Sequence, residues 1–371
     1  MPRPTKSTRG AKMKSSMGFG AQSPVQAPLF EVLASMPANG ARLSHRLRAL
    51  DADALVTHAA RHGVSAMVAD FLAASNLSLP VAAHRRLQSD ARALIARGLR
   101  MRRLTLKVLD ALAARGIAPV LLKGSGLAER LYPEQPLARP ATDVDVWVKP
   151  EELDEAGRAL AALQFVEQHD AGLADVAHEH HHVSWAGHDG LVELHFRLFS
   201  GFGGRVFDDA SLRARLVKGT FHGRHVQWLH HEDEFVYLAT HAANHAFLRA
   251  SWLVDLQRAL ALRSDFDWAG MATMCRAAGF HAAVSAALWV LREPLQAAVP
   301  PEASHHFGAG FARRLANARV FSARQLEAAT LAEGRWSGFA MRLWLVDSPR
   351  DGLRHAVDGG RRWFRRFRST P

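Results

Sequence analysis

The sequence predicts an α+β protein, with a small mixed sheet at residues 116–222 set between an N-terminal and a C-terminal helical region. Three observations carry this. Apolar residues recur at three- and four-residue steps from Leu29 to about Ala114, as in Leu43, Leu47 and Leu50 or Leu104, Val108 and Leu112, which is the spacing of an amphipathic helix face. Short β-branched runs bounded by glycine and proline then replace that pattern. From Glu232 the helical spacing returns, with Phe235, Leu238, His241 and Ala242 on one face.

Taken in order, residues 1–27 are rich in Ser, Gly, Lys and Pro without periodicity, and a disordered basic tail is expected there. Residues 28–115 form the N-terminal helical region, divided by Pro80 and the Ser75-Asn76-Leu77-Ser78 stretch before it. Arg102 to Arg115 reads as one helix ended by Gly116, since glycine readily takes the left-handed position at a helix C-terminus. Ile117 to Leu122 reads as a buried strand and Val144 to Val148, stopped by Pro150, as a second. Glu151 to Leu163 is amphipathic, and Phe165-Val166 opens a third strand. His181 to Trp185 and Leu191 to Phe196 flank Gly187-His188-Asp189-Gly190, and Asp-Gly between two strand-like runs signals a hairpin. The second helical region is placed at 223–345 and a basic tail at 346–371.

With 48% hydrophobic and 22% charged residues, the chain is neither collagen-like, nor a coiled-coil rod, nor mainly disordered. Beyond residue 30 its longest uncharged stretch, Ala277 to Leu291, has 15 residues, short of the ~20 that cross a bilayer as a helix. The basic N-terminal run has no apolar segment behind it. A single cysteine, Cys275, excludes an intramolecular disulfide, so a reducing, cytoplasmic setting is expected. The net charge of +12 sits mostly at the two ends: Arg3, Lys6, Arg9, Lys12 and Lys14, then Arg361, Arg362, Arg365, Arg366 and Arg368, leaving about +2 for the body. Such tails are either solvated extensions or contacts for nucleic acid or an anionic surface. The near-neutral body argues against a long nucleic-acid groove.

The chemistry concentrates in the sheet region. Asp143 and Asp145 alternate with Val144 and Val146, so the period of two sends both carboxylates to one face. Like charges placed so close call for a cation, and hard oxygen donors suit Mg²⁺ completed by substrate phosphates. Upstream, the Val120-Leu121-Leu122 strand runs through Lys123-Gly124-Ser125-Gly126 into a helix, a turn that offers backbone N–H groups to a phosphate. Downstream, Glu193 and His195 lie on a strand, and the hairpin register puts them on the same face as His182 and Ser184.

Leu121-Leu122-Lys123-Gly124-Ser125-Gly126, Leu131-Tyr132-Pro133, Arg139-Pro140-Ala141-Thr142-Asp143-Val144-Asp145 and Val192-Glu193-Leu194-His195, in this order, resemble the bacterial nucleotidyltransferase family proteins of the DNA polymerase β-like nucleotidyltransferase superfamily. The resemblance continues through His241-Ala242-Ala243-Asn244-His245 and Trp252-Leu253-Val254-Asp255-Leu256, and covers roughly residues 30–300. It implies a nucleotidyltransferase core and a nucleoside triphosphate held at Gly124 and Ser125. It also implies a two-metal Mg²⁺ site made by Asp143, Asp145 and Glu193. Glu193 stands where the family more often has Asp, and Thr142 where a smaller residue is usual. The implied reaction moves a nucleoside monophosphate, AMP by default, to a hydroxyl of an unidentified small-molecule or protein acceptor. Lys123 and Arg139 are candidates to neutralise phosphate charge, or else an ordinary strand end and a partner for a nearby aspartate. Two alternatives are a catalytically silent scaffold of the same fold and a nucleic-acid-associated protein working through its basic tails.

Other histidines are candidates for an acceptor pocket: His182, Ser184 and His195 on the sheet, and His241 and His245 on a helix. The run His178-Glu179-His180-His181-His182 offers imidazoles for zinc, but consecutive residues of a strand point in alternating directions. Ala242 stands where a zinc protease helix carries its glutamate base, which excludes that chemistry for His241 and His245 by this motif.

Overall fold

The structure, a computed structural model, describes residues 27–36, 47–168, 181–202, 204–328 and 342–357. The N-terminal tail, the arginine run 361–368 and His178, Glu179 and His180 lie outside the described residues.

The N-terminal region is helical: α1 (Pro28–Ser35), α2 (Ala52–Arg61), α3 (Ser65–Ala74) and α4 (Val81–Ala113). Asp51 caps α2 by accepting from the amides of Asp53 and Ala54 at 3.0 Å each, which pairs two of the amides a helix start leaves open. Pro80 directly precedes α4. The helix expected at 102–115 is the last part of this 33-residue element, and Gly116 follows it with φ +71°.

The sheet region carries β1 (Val120–Leu121), α5 (Gly124–Leu131), β2 (Val144–Trp147), α6 (Leu153–Ala162), β3 (Val166–Gln168), β4 (His182–Gly187) and β5 (Gly190–His195). It continues through β6 (Ser200–Gly201), β7 (Arg205–Val206), α7 (Asp209–Ala214), β8 (Val217–Phe221) and β9 (Arg224–Trp228). Seven strands form one mixed sheet in the order β3-β4-β5-β2-β1-β9-β8, and β6 and β7 form a separate ribbon. β2 runs parallel to β5 and β1 parallel to β9, whereas β1–β2, β3–β4, β4–β5 and β8–β9 are antiparallel. The sheet thus reaches Trp228, and strands lie on both sides of the boundary placed at 222.

Helices follow to the end of the described chain: α8 (His231–Asn244), α9 (Ala250–Leu262), α10 (Trp268–Ala278), α11 (His281–Arg292), α12 (Pro301–His306), α13 (Phe311–Val320) and α14 (Ala323–Ala328). The stretch placed in the C-terminal tail begins with packed structure: Val346 is buried, and Asp351 pairs with Arg205 at 2.7 Å.

Alternation along the strands divides the interior in two. Leu121, Val144, Val146, Val192 and Leu194 pack with the second half of α4 and with α6, through Leu104, Val108 and Leu112 and through Ala156 and Leu160. The opposite residues, Val120, Leu122 and Trp147, join a larger core that contains α1–α3 and α8–α11. The first half of α4 belongs to that larger core through Ala83, Leu87 and Ala91, so this helix braces both. Asp145, Glu193 and His195 share the strand face of Trp147. The polar face of the sheet is therefore turned toward the helical region.

Candidate active site

β2 and β5 run parallel with Asp145 the register partner of Glu193 and Trp147 the partner of His195. In the hairpin, Ser184 pairs with Glu193 and His182 with His195, as alternation across the Asp-Gly turn predicts. Asp145 is fully buried and Glu193 half-buried. His195, 1% exposed, brings Nε2 within 3.1 Å of Asp145 Oδ1 and 3.5 Å of Glu193 Oε2. Asp145, Glu193 and His195 each offer a ligand atom within 4.8 Å of the others. Asp143 does not belong to that tight group; it precedes β2, half-buried, one alternation away from Asp145.

The amide of Leu122 donates to the carbonyl of Asp145 at 3.2 Å, which brings the next residue, Lys123, beside the carboxylates. Its ammonium lies 3.0 Å from Asp145 Oδ1. Burial alone would raise the Asp145 carboxyl, but Lys123 and His195 outweigh it and hold the group well below the usual range. Asp143 moves the other way: burial and the neighbouring Asp145 charge raise it, against Lys123. Burial opposes a charged His195, yet its bonds to Asp145 and Glu193 raise its pKa. Asp145 Oδ2 is buried with no hydrogen-bond partner among the described residues. An unpaired carboxylate oxygen in the interior is costly, and a hard cation is the partner its chemistry suits.

Chain geometry fits the glycine turn closely against this cluster. Gly124 starts α5 with φ +61°, and a Cβ there would lie 3.1 Å from the carbonyl oxygen of Asp143. Gly126 has no room either, since a Cβ would meet Leu121 at 2.6 Å and Trp228 at 2.8 Å. Ser125 is buried and lines a narrow crevice with Arg102, Glu129 and Arg139.

Arg139 is engaged within the protein. Its guanidinium holds Asp255 of α9 at 2.8 Å and donates to the carbonyls of Gly124 at 3.3 Å and Pro140 at 2.7 Å. Tyr132 also donates to Asp255, at 2.7 Å. The pairing alternative for Arg139 is thus what the structure contains, and Asp255 is a buried anchor that fastens the glycine turn to the helical region.

His182 Nε2 is 3.6 Å from Glu193 Oε1, and burial together with His195 pushes its pKa down to about 4. His241 near the end of α8 and His245 just past it place their rings 4.7 Å apart, with the Trp252 ring at 5.0 Å, edge-on, from His241 and at 5.3 Å, tilted, from His245. His241 is half-buried and His245 has more side chain at the surface, yet burial and the Lys123 charge hold His241 well below its ordinary pKa and lower that of His245 to about 4. Two further groups join the cluster, of which Tyr237 escaped the sequence reading and His181 was read only within the histidine run weighed for zinc. Tyr237, one turn before His241, is buried, which raises its phenol, and Lys123, Asp145 and Glu193 all act on it. His181 brings its ring within 5.3 Å of His195. The spacing Tyr237, His241, His245 at four-residue steps was the available signal for the first.

Neither the curated proteins nor the solved structures contain a match to this chain. A family model described as uncharacterised nucleotidyltransferase matches residues 48–296, which include the glycine turn, the three carboxylates and helices α8 and α9. With the acidic strand pair, the glycine turn and their helical bracing all inside the matched span, the chain belongs to this nucleotidyltransferase family.

Proposed function

We propose that this protein transfers a nucleoside monophosphate, AMP in the first instance, from a nucleoside triphosphate to a hydroxyl group, in a reaction that depends on Mg²⁺. The observation that carries the reading is the side-by-side placement of Asp145 and Glu193 in register, with Asp143 two residues upstream and the Asp145 Oδ2 atom unpaired among the described residues. Asp143, Asp145 and Glu193 would hold the metal, two ions being expected. When bound, the metal supplies charge stabilisation at the phosphoryl oxygens and acidifies the attacking hydroxyl.

The remaining work falls to the chain. The backbone amides of Gly124 and Ser125 at the start of α5 point donors at the triphosphate, where the helix dipole also favours negative charge. Lys123 supplies a fixed positive charge beside the carboxylates. Arg139 positions the turn through Gly124 and Asp255. The acceptor oxygen bonds to the α-phosphorus as the bond to the β-phosphate oxygen breaks and pyrophosphate leaves. Glu193 assists loss of the hydroxyl proton. His182, Ser184, His195, His241 and His245 are proposed to face the acceptor, either a small molecule or a protein side chain.

Calorimetric titration of nucleoside triphosphates with and without Mg²⁺ tests this on the wild type and on Asp143→Asn/Asp145→Asn. Metal-dependent binding that the double variant loses is the expected result. A folded wild type that binds no nucleotide overturns the proposal. A nucleotide-binding scaffold without turnover is the second reading, favoured by the ion pair through which Lys123 already neutralises Asp145. It would be recognised by nucleotide binding without pyrophosphate release.

A further inference from the structure

We propose that His181, His182 and His195 form a binding site for a divalent transition metal of the Zn²⁺ class, adjoining the carboxylates but separate from the Mg²⁺ site. One ligand atom from each residue lies within 4.8 Å of the other two. The rings are 4.8 Å apart for His181–His182, 5.3 Å for His181–His195 and 5.1 Å for His182–His195.

The placement of two of these imidazoles points to a metal. His195 turns Nε2 to Asp145 Oδ1 at 3.1 Å, and His182 turns Nε2 to Glu193 Oε1 at 3.6 Å. In both rings the other nitrogen, Nδ1, is buried and has no hydrogen-bond partner among the described residues. A carboxylate at one ring nitrogen holds the proton there and leaves a lone pair on the other, which is how metal-binding imidazoles are oriented. His195 makes that bond and His182 has its carboxylate close by, and two rings with buried Nδ1 atoms unmatched among the described residues form a costly arrangement that a cation resolves.

Alternation along the strand does not forbid convergence here. β4 begins at His182, and His181 precedes it at a bend, so the two rings stand at 82° instead of on opposite faces. Phe199 packs at 5.5 Å from the His181 ring and gives the cluster an apolar wall.

Ligand chemistry separates the two sites. Imidazole nitrogens select Zn²⁺ and its neighbours in the first transition row, whereas Mg²⁺ favours oxygens. Asp145 divides its oxygens accordingly: Oδ1 orients His195, and Oδ2 is left toward the hard cation. Zn²⁺ takes imidazole nitrogens at about 2.1 Å, and three imidazoles leave one position of a four-coordinate ion for water or a substrate atom. An ion there fixes His195 and through it the Asp145 carboxylate, so it positions that proposed Mg²⁺ ligand without touching the nucleotide.

The test uses the untagged, chelator-stripped full chain in excess Mg²⁺ and without nucleotide. Zn²⁺ binding is measured by equilibrium dialysis, and the ligand field is read from the visible spectrum with Co²⁺ in its place. One Zn²⁺ per chain, not displaced by Mg²⁺, with a four-coordinate Co²⁺ spectrum, is the expected result. His182→Gln and His181→Ala each remove that binding, and Asp145→Asn weakens it by about 10–100-fold through loss of the orienting bond. Circular dichroism establishes that each variant is folded, and His181, outside β4, provides the variant least tied to the sheet. Three results overturn the proposal: no Zn²⁺ retained by the folded wild type, displacement by Mg²⁺, or binding that survives in His181→Ala/His182→Gln. Because no nucleotide enters the measurement, failure here leaves nucleotidyl transfer untouched, and the converse also holds.

Discussion

Asp145 and Glu193 lie directly opposite one another in the parallel β2–β5 pair, two carboxylates 48 positions apart in the chain. Lys123 and His195 converge on the Oδ1 atom of Asp145, at 3.0 and 3.1 Å. The other oxygen, Oδ2, is unpaired among the described residues. Acidic repulsion is thus half compensated from within the chain, and the uncompensated half is where metal-dependent chemistry is proposed. Glu193→Gln keeps the shape of the side chain and removes its charge. Metal-dependent pyrophosphate release should fall by about 10²-fold or more, the scale of losing one preorganised electrostatic group. Unchanged turnover would remove Glu193 from the reaction.

The Arg139–Asp255 pair yields a prediction about stability. Both side chains are buried. Arg139→Met leaves the Asp255 carboxylate without its cation, and breaking a buried pair from one side costs about 3–5 kcal/mol. Arg139→Met/Asp255→Leu removes both charges and should recover a large part of that loss in urea denaturation. If Arg139→Met keeps full stability while losing nucleotide affinity, the guanidinium contacts phosphate instead of bracing the turn.

Gly124 and Gly126 should respond differently to alanine. At Gly124 the φ of +61° costs an L-residue about 1–2 kcal/mol, and the new Cβ presses on the Asp143 carbonyl at 3.1 Å. Gly124→Ala is therefore expected to lower turnover by more than its loss of stability explains. At Gly126 the obstacles are the side chains of Leu121 and Trp228, so Gly126→Ala is an overpacking change worth about 1–3 kcal/mol. Equal effects of the two substitutions on turnover, after correction for folded fraction, would count against a special role for Gly124.

The contact between His62 and Glu327 predicts two opposed pH dependences. His62 is buried, its Nδ1 accepts from the amide of Ala250 at 3.1 Å, and its Nε2–H donates to the carbonyl of Glu327 at 3.0 Å. Burial pushes its pKa from 6.5 down to about 4. The stabilisation from a neutral His62 is complete above pH 6.5 and is lost as pH falls toward 4. Burial likewise pushes the Glu327 carboxyl from 4.5 up to about 7, against the amides of Phe30 and Leu29. Its stabilisation is complete below pH 4.5 and is lost as pH rises to 7. Relative to wild type, His62→Phe should therefore gain stability as pH falls from 6.5 to 4.5, and Glu327→Gln should lose it. The His62 contribution amounts to at most about 3 kcal/mol, at roughly 1.4 kcal/mol per pKa unit. Urea denaturation across that window decides it: two difference curves with the same slope would refute the assignment.

Much of the site was legible because its signals are local. Period-two alternation placed Asp145 opposite the valines, and the Asp-Gly turn put His182 and Ser184 on the face of Glu193 and His195. Pro80 and Gly116 bounded α4 as their backbone chemistry requires. The region between residues 197 and 231 carried no such clear pattern: β6 to β9 are two to five residues long, too short for periodicity to declare itself.

The order of carboxylates, glycine turn and strands along the chain follows from residue type and spacing alone, since steric alternation and turn chemistry act over a few residues. Which of them meet is a matter of packing. The parallel pairing of β2 with β5, the insertion of β9 beside β1, the anchoring of Arg139 by Asp255 and the convergence of His181 with His195 all join distant positions. Such contacts depend on how the apolar faces of the sheet and helices close over one another, and burial then fixes which polar atoms find partners and which, like Asp145 Oδ2, find none among the described residues.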